Sequence, residues 1–282
     1  MTNALVIVNY NDGRMAAELA QKLAGYDCLE AVIVVDNGST DDSAEVLAGL
    51  EAGKLHVIRT DKNGGYSYAM NAGCRYAVQL LGECRIAISN SDIRPCDNDS
   101  LAVLMAYADT YAVVGPVIHQ NGDISRGWRL PTARDDIMMN IPVFYRWYEK
   151  KHLFYPKELY FGRVSIVETV SGCFFVISSA FYEQMGGFDE NVFLYYEENI
   201  LGAAARKLRK RIAVINDVSV DHIHSATVDK NLNWRGKYDN LKRSQYYYEK
   251  EYNHAAEGKL FGLKLTADIT RAIYTIAYGR GK

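Results

Sequence analysis

Short apolar runs alternate with longer segments of helical period through the first hundred positions. Ala4 to Val8, Ala31 to Val35, Leu55 to Arg59 and Arg85 to Ser89 predict strands. Arg14 to Leu23, about Asp42 to Leu50 and about Ser67 to Leu81 place their apolar residues at helical spacing. Strands separated by helices need crossover connections, so this half predicts an α/β fold with an open, mostly parallel sheet and flanking helices. Ligands of such sheets gather outside the carboxyl ends of the strands. Three predicted strand ends are polar: Asn9-Tyr10-Asn11, Asp36-Asn37-Gly38-Ser39-Thr40-Asp41 and Ser89-Asn90-Ser91-Asp92. All three point at one crevice.

Beyond Gly115 the pattern loosens. Asn121-Gly122-Asp123 reads as a hairpin turn, and Trp128 to Tyr160 as an irregular, aromatic-rich stretch that covers the site or meets a second substrate. Val170 to Ile177 is strand-like and leads to a short helix. The loop Gly186-Gly187-Phe188-Asp189-Glu190 precedes a helix from about Glu197 to Arg211, and Ile212 to Val220 is again strand-like. From Lys230 onward bases interleave with Tyr246-Tyr247-Tyr248, Leu260-Phe261 and Ile273-Tyr274, which predicts a basic, amphipathic C-terminal helical segment.

A chain of 282 residues suits one large domain with such a segment appended. The division expected is 1–228 for the main domain, with halves at 1–118 and 119–228, and 229–282 for the tail. Hydrophobic residues at 49% and charged residues at 23% are near the globular average, so the composition favours neither disorder nor a membrane span. A net charge of -2 gives no argument for a nucleic-acid partner. Five scattered cysteines without a C-x-x-C pair fit reduced thiols rather than disulfides or zinc. The first apolar run is too short for a signal peptide and lacks its basic leader, so a cytoplasmic protein is expected.

Each polar strand end has a structural and a chemical reading. Asp92 is placed to bind Mg²⁺ or Mn²⁺ together with phosphate oxygens, and its turn equally suits Asx hydrogen bonds. Asp36 can accept from a uracil or thymine N–H or a ribose hydroxyl; Ser39 and Asp41 suit helix capping. Asn63-Gly64-Gly65-Tyr66 with Asn71-Ala72-Gly73 sets bare backbone N–H groups at the start of a helix, where they can approach phosphate or form a plain turn. Glu197 and Glu198 open a helix ending in Arg206-Lys207-Leu208-Arg209-Lys210-Arg211. Dipole complementarity accounts for one of them, and the other can be a general base. His222 and His224 end a strand, where an imidazole can be structural, complete a metal site or touch a diphosphate.

Taken in order, these residues resemble the family 2 glycosyltransferases, particularly their rhamnosyltransferase-like branch. The match runs through Ile7-Val8-Asn9-Tyr10-Asn11, Val35-Asp36-Asn37-Gly38-Ser39-Thr40-Asp41, Asn63-Gly64-Gly65-Tyr66 with Asn71-Ala72-Gly73, and Ser89-Asn90-Ser91-Asp92. It continues in Ser171-Gly172-Cys173-Phe174, Gly187-Phe188-Asp189-Glu190, Phe193-Leu194-Tyr195-Tyr196-Glu197-Glu198 and His222-Ile223-His224-Ser225-Ala226-Thr227. The resemblance implies a Rossmann-like GT-A fold and an inverting, cation-dependent transfer from a dTDP- or UDP-sugar, such as dTDP-rhamnose. The acceptor it implies is a glycan or lipid-linked hydroxyl in cell-surface polysaccharide synthesis. It further implies Asp36 at the base or ribose, Asp92 and His222 at the cation, and Glu198 or its neighbour Glu197 as the base. Asn9, Tyr10, Asn11, Asn37, Ser39, Asn63, Gly65, Tyr66, Asn71, Asn90 and Ser91 then surround the donor, and Trp128, Gly172 and Asp189 the acceptor. The chain departs from the family in carrying Glu197-Glu198 where Glu-Asp is common, Ile200 where a further Asp often stands, and a single carboxylate in Asn90-Ser91-Asp92.

Two other readings compete. A sugar nucleotidyltransferase needs a Gly-rich basic loop after the first strand, where this chain has Asn9-Tyr10-Asn11-Asp12-Gly13-Arg14. A nucleotide-sugar-binding protein without turnover would keep the crevice and lose the acids. The basic tail suits peripheral contact with the inner face of a membrane, and equally a helical cap or a contact in a homodimer.

Overall fold

In this computed structural model, which describes residues 1–223 and 233–278, the first hundred residues follow the predicted alternation. They form β1 (Thr2–Asn9), α1 (Gly13–Ala24), β2 (Ala31–Asp36), α2 (Ser43–Ala48), β3 (Leu55–Arg59), α3 (Tyr66–Leu81) and β4 (Cys84–Asn90). There follow β5 (Ile93–Arg94), α4 (Asn98–Tyr107), β6 (Val113–Gln120), β7 (Asp123–Ser125), α5 (Ala133–Met139), α6 (Tyr145–His152) and a 3-10 turn at Lys157–Tyr160. The chain continues through β8 (Val164–Val167), β9 (Phe174–Ser178), α7 (Ser179–Gln184), α8 (Glu197–Lys207), β10 (Ile212–His222), α9 (Trp234–Glu251) and α10 (Glu257–Tyr278).

One ten-stranded sheet organises these elements in the order β3-β2-β1-β4-β9-β6-β10-β5, with β7 beside β6 and β8 beside β10. The β3, β2, β1 and β4 pairings are parallel, as is β6 with β10, whereas β9 runs antiparallel to both β4 and β6. Central strands buried on both faces read as continuous apolar runs, as Leu5-Val6-Ile7 and Val32-Ile33-Val34-Val35 do. One face packs Val6, Ile33, Ile86 and Ile177 against Met70 of α3 and Leu201 of α8, and the other packs Leu5, Ile7 and Val34 against α1 and Leu101 of α4. The predicted hairpin turn joins β6 to β7, with Gln120 opposite Asp123.

Four expectations need correction. The stretch Trp128 to Tyr160 is largely helical: Thr132 caps α5 in a capping box with Asp135, a signal present in the sequence and hidden by the aromatic composition around it. The strand expected from Val170 begins only at Phe174, because Ser171-Gly172-Cys173 turns into the cavity wall before pairing starts. Helix α8 stops at Lys207, four residues short of Arg211, and α2 spans only Ser43–Ala48.

The C-terminal helical segment packs against the rest of the chain. Helix α9 buries Ser244, Gln245, Tyr248 and Glu249, and Tyr248 packs with Leu130, Val192, Tyr196 and Ile200. Three consecutive tyrosines point three ways at 100° per residue. Tyr248 enters the core, Tyr247 donates to Asp189, and Tyr246 stays exposed.

Asn71, in the middle of α3, ties that helix to the loop ahead of α8. Its amide donates to Phe188 O (2.9 Å) and Glu190 Oε1 (2.6 Å), and its oxygen accepts from Phe188 N (2.8 Å) and the Tyr182 hydroxyl (3.1 Å). Replacing Asn71 with Ala leaves buried backbone groups unpaired, which costs about 1–3 kcal/mol. Urea titration is expected to show a lower midpoint at unchanged slope, and an unchanged midpoint contradicts this anchoring role.

Candidate functional site

Three strand ends build the floor of the crevice. Where β1 ends, Asn9 is buried and its amide reaches Asp36 Oδ1 (3.4 Å) and Ser39 Oγ (3.3 Å). The chain then turns through Asn11 at φ 58°, a conformation asparagine tolerates better than most residues, and Asn11 N donates to Ser39 Oγ at 2.9 Å. Asp36 accepts from Ser39 N at 3.2 Å and lies 3.4 Å from Arg59 Nε. The first and second strand ends are thereby cross-linked. The next residue, Asn37, bonds Asn63 Oδ1 and Gly65 O.

The Asp92 side follows from strand pairing. After β4 the chain turns through Ser91 and Asp92 into β5, which pairs antiparallel with the end of β10 so that His222 lies opposite Ile93. That register sets His222 Nε2 3.1 Å from Asp92 Oδ1, with Asp92 only 3% exposed, and Ile223 N continues the ladder to Asp92 O at 2.9 Å. Two adjacent ligands of one octahedral cation, each at about 2.1 Å, lie about 3 Å apart, which this pair matches. No cluster of three metal-ligating side chains occurs among the described residues. The pair, hydrogen-bonded to each other as it stands, has the spacing of two neighbouring cation ligands, and further ligands from outside these two side chains would have to complete the coordination. His224 lies outside the described residues.

The acid side is set by backbone geometry. Tyr195 and Tyr196 both adopt positive φ, 71° and 70°, a costly turn that starts α8 with Glu197 and Glu198 in its first turn. Carboxylates there complement the helix dipole. The loop is pinned by Tyr66 N donating to Phe193 O at 3.0 Å, beside Gly65 at φ 95°, where a Cβ would stand 2.5 Å from that same oxygen. Glu198 is half-buried against Gly172: a Cβ on that glycine would lie 3.6 Å from its Oε2.

One cavity of about 540 Å³ joins these parts. Asp92, His222, Glu197, Glu198 and Gly172 line it, together with Tyr10, Asn37, Asn63, Gly65, Tyr66, Asn90 and Ser91. Asn9, Asn11, Asp36 and Ser39 lie off its wall in the hydrogen-bonded floor, and Asn71 is fully engaged by the Phe188 loop. Trp128 and Asp189 also stand off the wall. The Trp128 indole donates to Asn199 Oδ1 at 3.0 Å, and Asp189 accepts from Tyr247 and Tyr252. Gln120, Ser171, Cys173 and the Phe193 to Tyr195 segment line the cavity without having been expected there. Ser171 to Cys173 and Phe193 to Tyr195 stand beside recognisable motif residues; Gln120 carries no signal of its own.

The acids perturb one another and their surroundings. Burial and the neighbouring Glu198 charge push the Glu197 carboxyl up to about 8, and its Oε1 has no hydrogen-bond partner. Burial raises Glu198 as well. The Cys173 thiol is pushed up to about 12 by burial, with Asp92 and Glu198 adding to the rise. Tyr66, whose hydroxyl donates to Gly172 O, is raised by burial and by four neighbours that include both glutamates and Asp92. Asp92 and the two glutamates thus act on a common space.

Behind the glutamates, α9 and α5 clamp the turn that carries them. The Tyr196 hydroxyl donates to Asp136 Oδ1 at 2.6 Å and accepts from Gln245 Nε2 at 3.0 Å, while Ser244 Oγ donates to Leu194 O at 2.9 Å. Asp136 and Glu249 are both fully buried. Burial lifts the Asp136 carboxyl to about 6, and burial with the Asp136 charge lifts Glu249 to about 9, while burial lowers the nearby Lys242 ammonium to about 8. Burial and mutual repulsion thus favour keeping one proton on this pair.

Comparison with known proteins agrees with this architecture. The sequence profile of glycosyl transferase family 2 matches residues 4–185. The low-salt glycan biosynthesis hexosyltransferase Agl10 of Haloferax volcanii is 26% identical over 228 residues, 80% of this chain and 68% of that protein. Among solved structures, GalNAc-T7 with UDP, GalNAc and Mn²⁺ superposes with a TM-score of 0.62 at 15% identity, over 96% of this chain and 54% of that one. This chain therefore spans about half the length of that neighbour. The mannosyltransferase PcManGT of Pyrobaculum calidifontis, solved with GDP-Man and Mn²⁺, gives 0.57 at 18% identity, over 99% of this chain and 76% of that one. These likenesses identify the α/β sheet with its C-terminal helices as the GT-A fold.

The buried acid pair gives stability a definite pH dependence. Because their folded pKa values lie above the unfolded ones, the native state holds protons that the unfolded chain releases, so stability falls as pH rises from about 4.5 towards 8. Above that, Lys242 contributes with the opposite sign. Glu249→Gln keeps the hydrogen-bonding shape without the charge and is expected to flatten the decline in urea midpoints measured across this range. A decline equally steep in the variant contradicts the shared proton.

Proposed function

The chain belongs to glycosyl transferase family 2, and from that membership we propose that it transfers a sugar from a nucleotide diphosphate donor to a hydroxyl group with inversion at the anomeric carbon. One observation carries the reading: the Asp92–His222 pair and Glu198 line the same cavity. A single displacement needs two opposed devices, one that neutralises the departing diphosphate and one that takes a proton from the incoming alcohol.

Asp92 and His222 would hold Mg²⁺ or Mn²⁺, which supplies charge stabilisation for the diphosphate when bound. Asn63, whose side-chain oxygen is fixed by Asn37 at 3.1 Å, offers its amide nitrogen to a uracil or thymine ring, with Tyr10 beside it. Asp36 serves this wall from behind by fixing Ser39 and Arg59. Glu198 accepts the proton of the acceptor hydroxyl as the new glycosidic bond forms and the bond to diphosphate breaks. Glu197 keeps its own proton near neutral pH, so the site avoids a second adjacent negative charge. The acceptor enters over Gly172 and the Phe193 to Tyr195 segment.

The donor is a dTDP- or UDP-sugar, dTDP-rhamnose among them, and the acceptor a glycan or lipid-linked alcohol of cell-surface polysaccharide synthesis. The glycan-biosynthetic relative supports a glycan product, and the nucleotides and manganese named in the solved neighbours support a nucleotide-sugar donor and a divalent cation. Residues 1–118 then form the donor half and 119–228 the acceptor and catalytic half. A nucleotidyltransferase reading finds no support in the turn after β1, because Asn11 is spent on Ser39 and Thr40 instead of cradling phosphate.

Glu198→Gln is expected to lower kcat by about 10²–10⁴ while donor binding, read by calorimetry, is retained. In the parent, kcat/KM is expected to rise with pH along an acid limb displaced above the ordinary carboxylate range, since burial favours the protonated base. Full turnover by Glu198→Gln, with loss in Glu197→Gln instead, overturns the assignment. Asp92→Ala is expected to abolish the part of donor affinity that depends on Mn²⁺. If that dependence survives, the cation is held elsewhere.

A further inference from the structure

Helix α10 shows two unlike faces. Leu260, Leu263 and Thr270 are buried, and Thr270 Oγ1 donates to Asn140 O at 2.5 Å where α5 ends. On the opposite side Phe261 (69% exposed), Leu265, Ile269, Ile273 and Ile276 (63% exposed) project outward. At 100° per residue these five fall within one arc of about 120°, a continuous apolar stripe along the helix.

A second apolar projection starts from the end of α5, on which α10 packs. The chain leaves Asn140, next to Thr270, and within a few residues exposes Val143 (87%), Phe144 and Trp147 (58%) at the start of α6. Singly exposed apolar residues are ordinary, but five along one helix face, with three more close after the helix α5 that α10 packs on, are not.

The charges around this patch are biased. On α6 the exposed charged residues are Arg146, Lys150 and Lys151, all basic, and Lys151 Nζ lies 4.8 Å from the centre of the Trp147 ring. On α10 Lys259 and Lys264 are exposed, Arg271 pairs with Asp239, and the acids are Glu257 and Asp268. The basic excess lies on α6, beside Trp147, whereas on α10 two lysines are matched by two acids; the net charge of the whole chain is -2. A tryptophan rim with lysines beside an apolar stripe matches the layered chemistry of a bilayer surface, where acyl chains lie beneath anionic headgroups. A second copy of the same patch would bring lysine against lysine.

We propose that the α10 stripe and the Val143 to Trp147 projection together form a docking surface for an anionic lipid membrane. The contact lies on the bilayer and does not cross it: no helix among the described residues is long and apolar enough to span. Helix α9 takes no part, because its apolar side is spent on the catalytic turn. The surface stands on exposure and charge alone, and its test is independent of whether transfer occurs.

Co-sedimentation of the full chain with vesicles tests it. Binding is expected to phosphatidylcholine vesicles containing phosphatidylglycerol, to be much weaker with phosphatidylcholine alone, and to fall with added salt. Phe261→Ser combined with Ile269→Ser is expected to reduce partitioning at least tenfold, with unchanged circular dichroism and unchanged turnover of a water-soluble acceptor. Trp147→Ser, on the other element, is expected to reduce it separately, and Lys151→Glu with Lys264→Glu to remove the preference for anionic lipid. Absence of binding by the parent, or equal binding by the variants, overturns the proposal. So does a homodimer in sedimentation equilibrium that Phe261→Ser with Ile269→Ser dissociates, since a second copy would then cover the patch.

Discussion

Carboxylates gathered around one half-buried cleft repel one another and lose hydration, and holding them there is the constraint on which the rest of this molecule depends. Asp92 comes from the end of one strand and the two glutamates from the start of a helix about a hundred residues later. Three devices bring them together. The β10 to β5 pairing presses His222 against Asp92. The left-handed pair Tyr195-Tyr196 aims the start of α8 at the cavity. The Gly65 to Phe193 contact locks that turn to the start of α3, at a spacing no side chain at position 65 could share. The electrostatic cost appears as the raised pKa of Glu197 and its orphaned oxygen. Strain of this kind persists where surrounding structure over-determines it.

That over-determination reaches further from the cavity than the motif residues do. The Tyr196 phenol is gripped by Asp136 and Gln245, and Lys242 reaches both Gln245 and Asn140. Asn140 in turn bonds α10 through Leu263 and Thr266. The C-terminal helices thus form a brace for the acids, and the same brace orients the apolar stripe outward. Helix α9 serves the site, and α10 faces away from it.

The sheet was legible because its central strands are buried on both faces, which writes them as unbroken apolar runs such as Val32 to Val35. The strand-end residues were legible for a related reason. In an open α/β sheet, polar residues directly after such runs have one crevice to line, and Tyr10, Asn37, Asn90, Ser91 and Asp92 all line it. What could not be read was the use of polar groups against each other. Asn71 and Asp189 look like ligand-binding residues and are instead fastened to Phe188 and to two tyrosines. Trp128 looks like an acceptor platform and is tied to Asn199. Partner choice of this sort depends on residues far apart in the chain, which composition and spacing do not encode. The partners of helix α9 were hidden for the same reason: its bases and tyrosines match an amphipathic surface helix until the tertiary contacts of Tyr248 and Glu249 are known.

The central claim is that Asp92 and His222 grip a cation that shares its coordination with the donor's diphosphate. Pulsed electron–nuclear resonance on Mn²⁺ added with a nucleoside diphosphate, in protein carrying ¹⁵N-labelled histidine, reads both contacts on one ion. The account predicts that a single bound manganese couples to phosphorus and to one imidazole nitrogen, and that the nitrogen signal alone disappears in His222→Asn. Phosphorus coupling without any histidine nitrogen, or a nitrogen signal that survives that substitution, would contradict it.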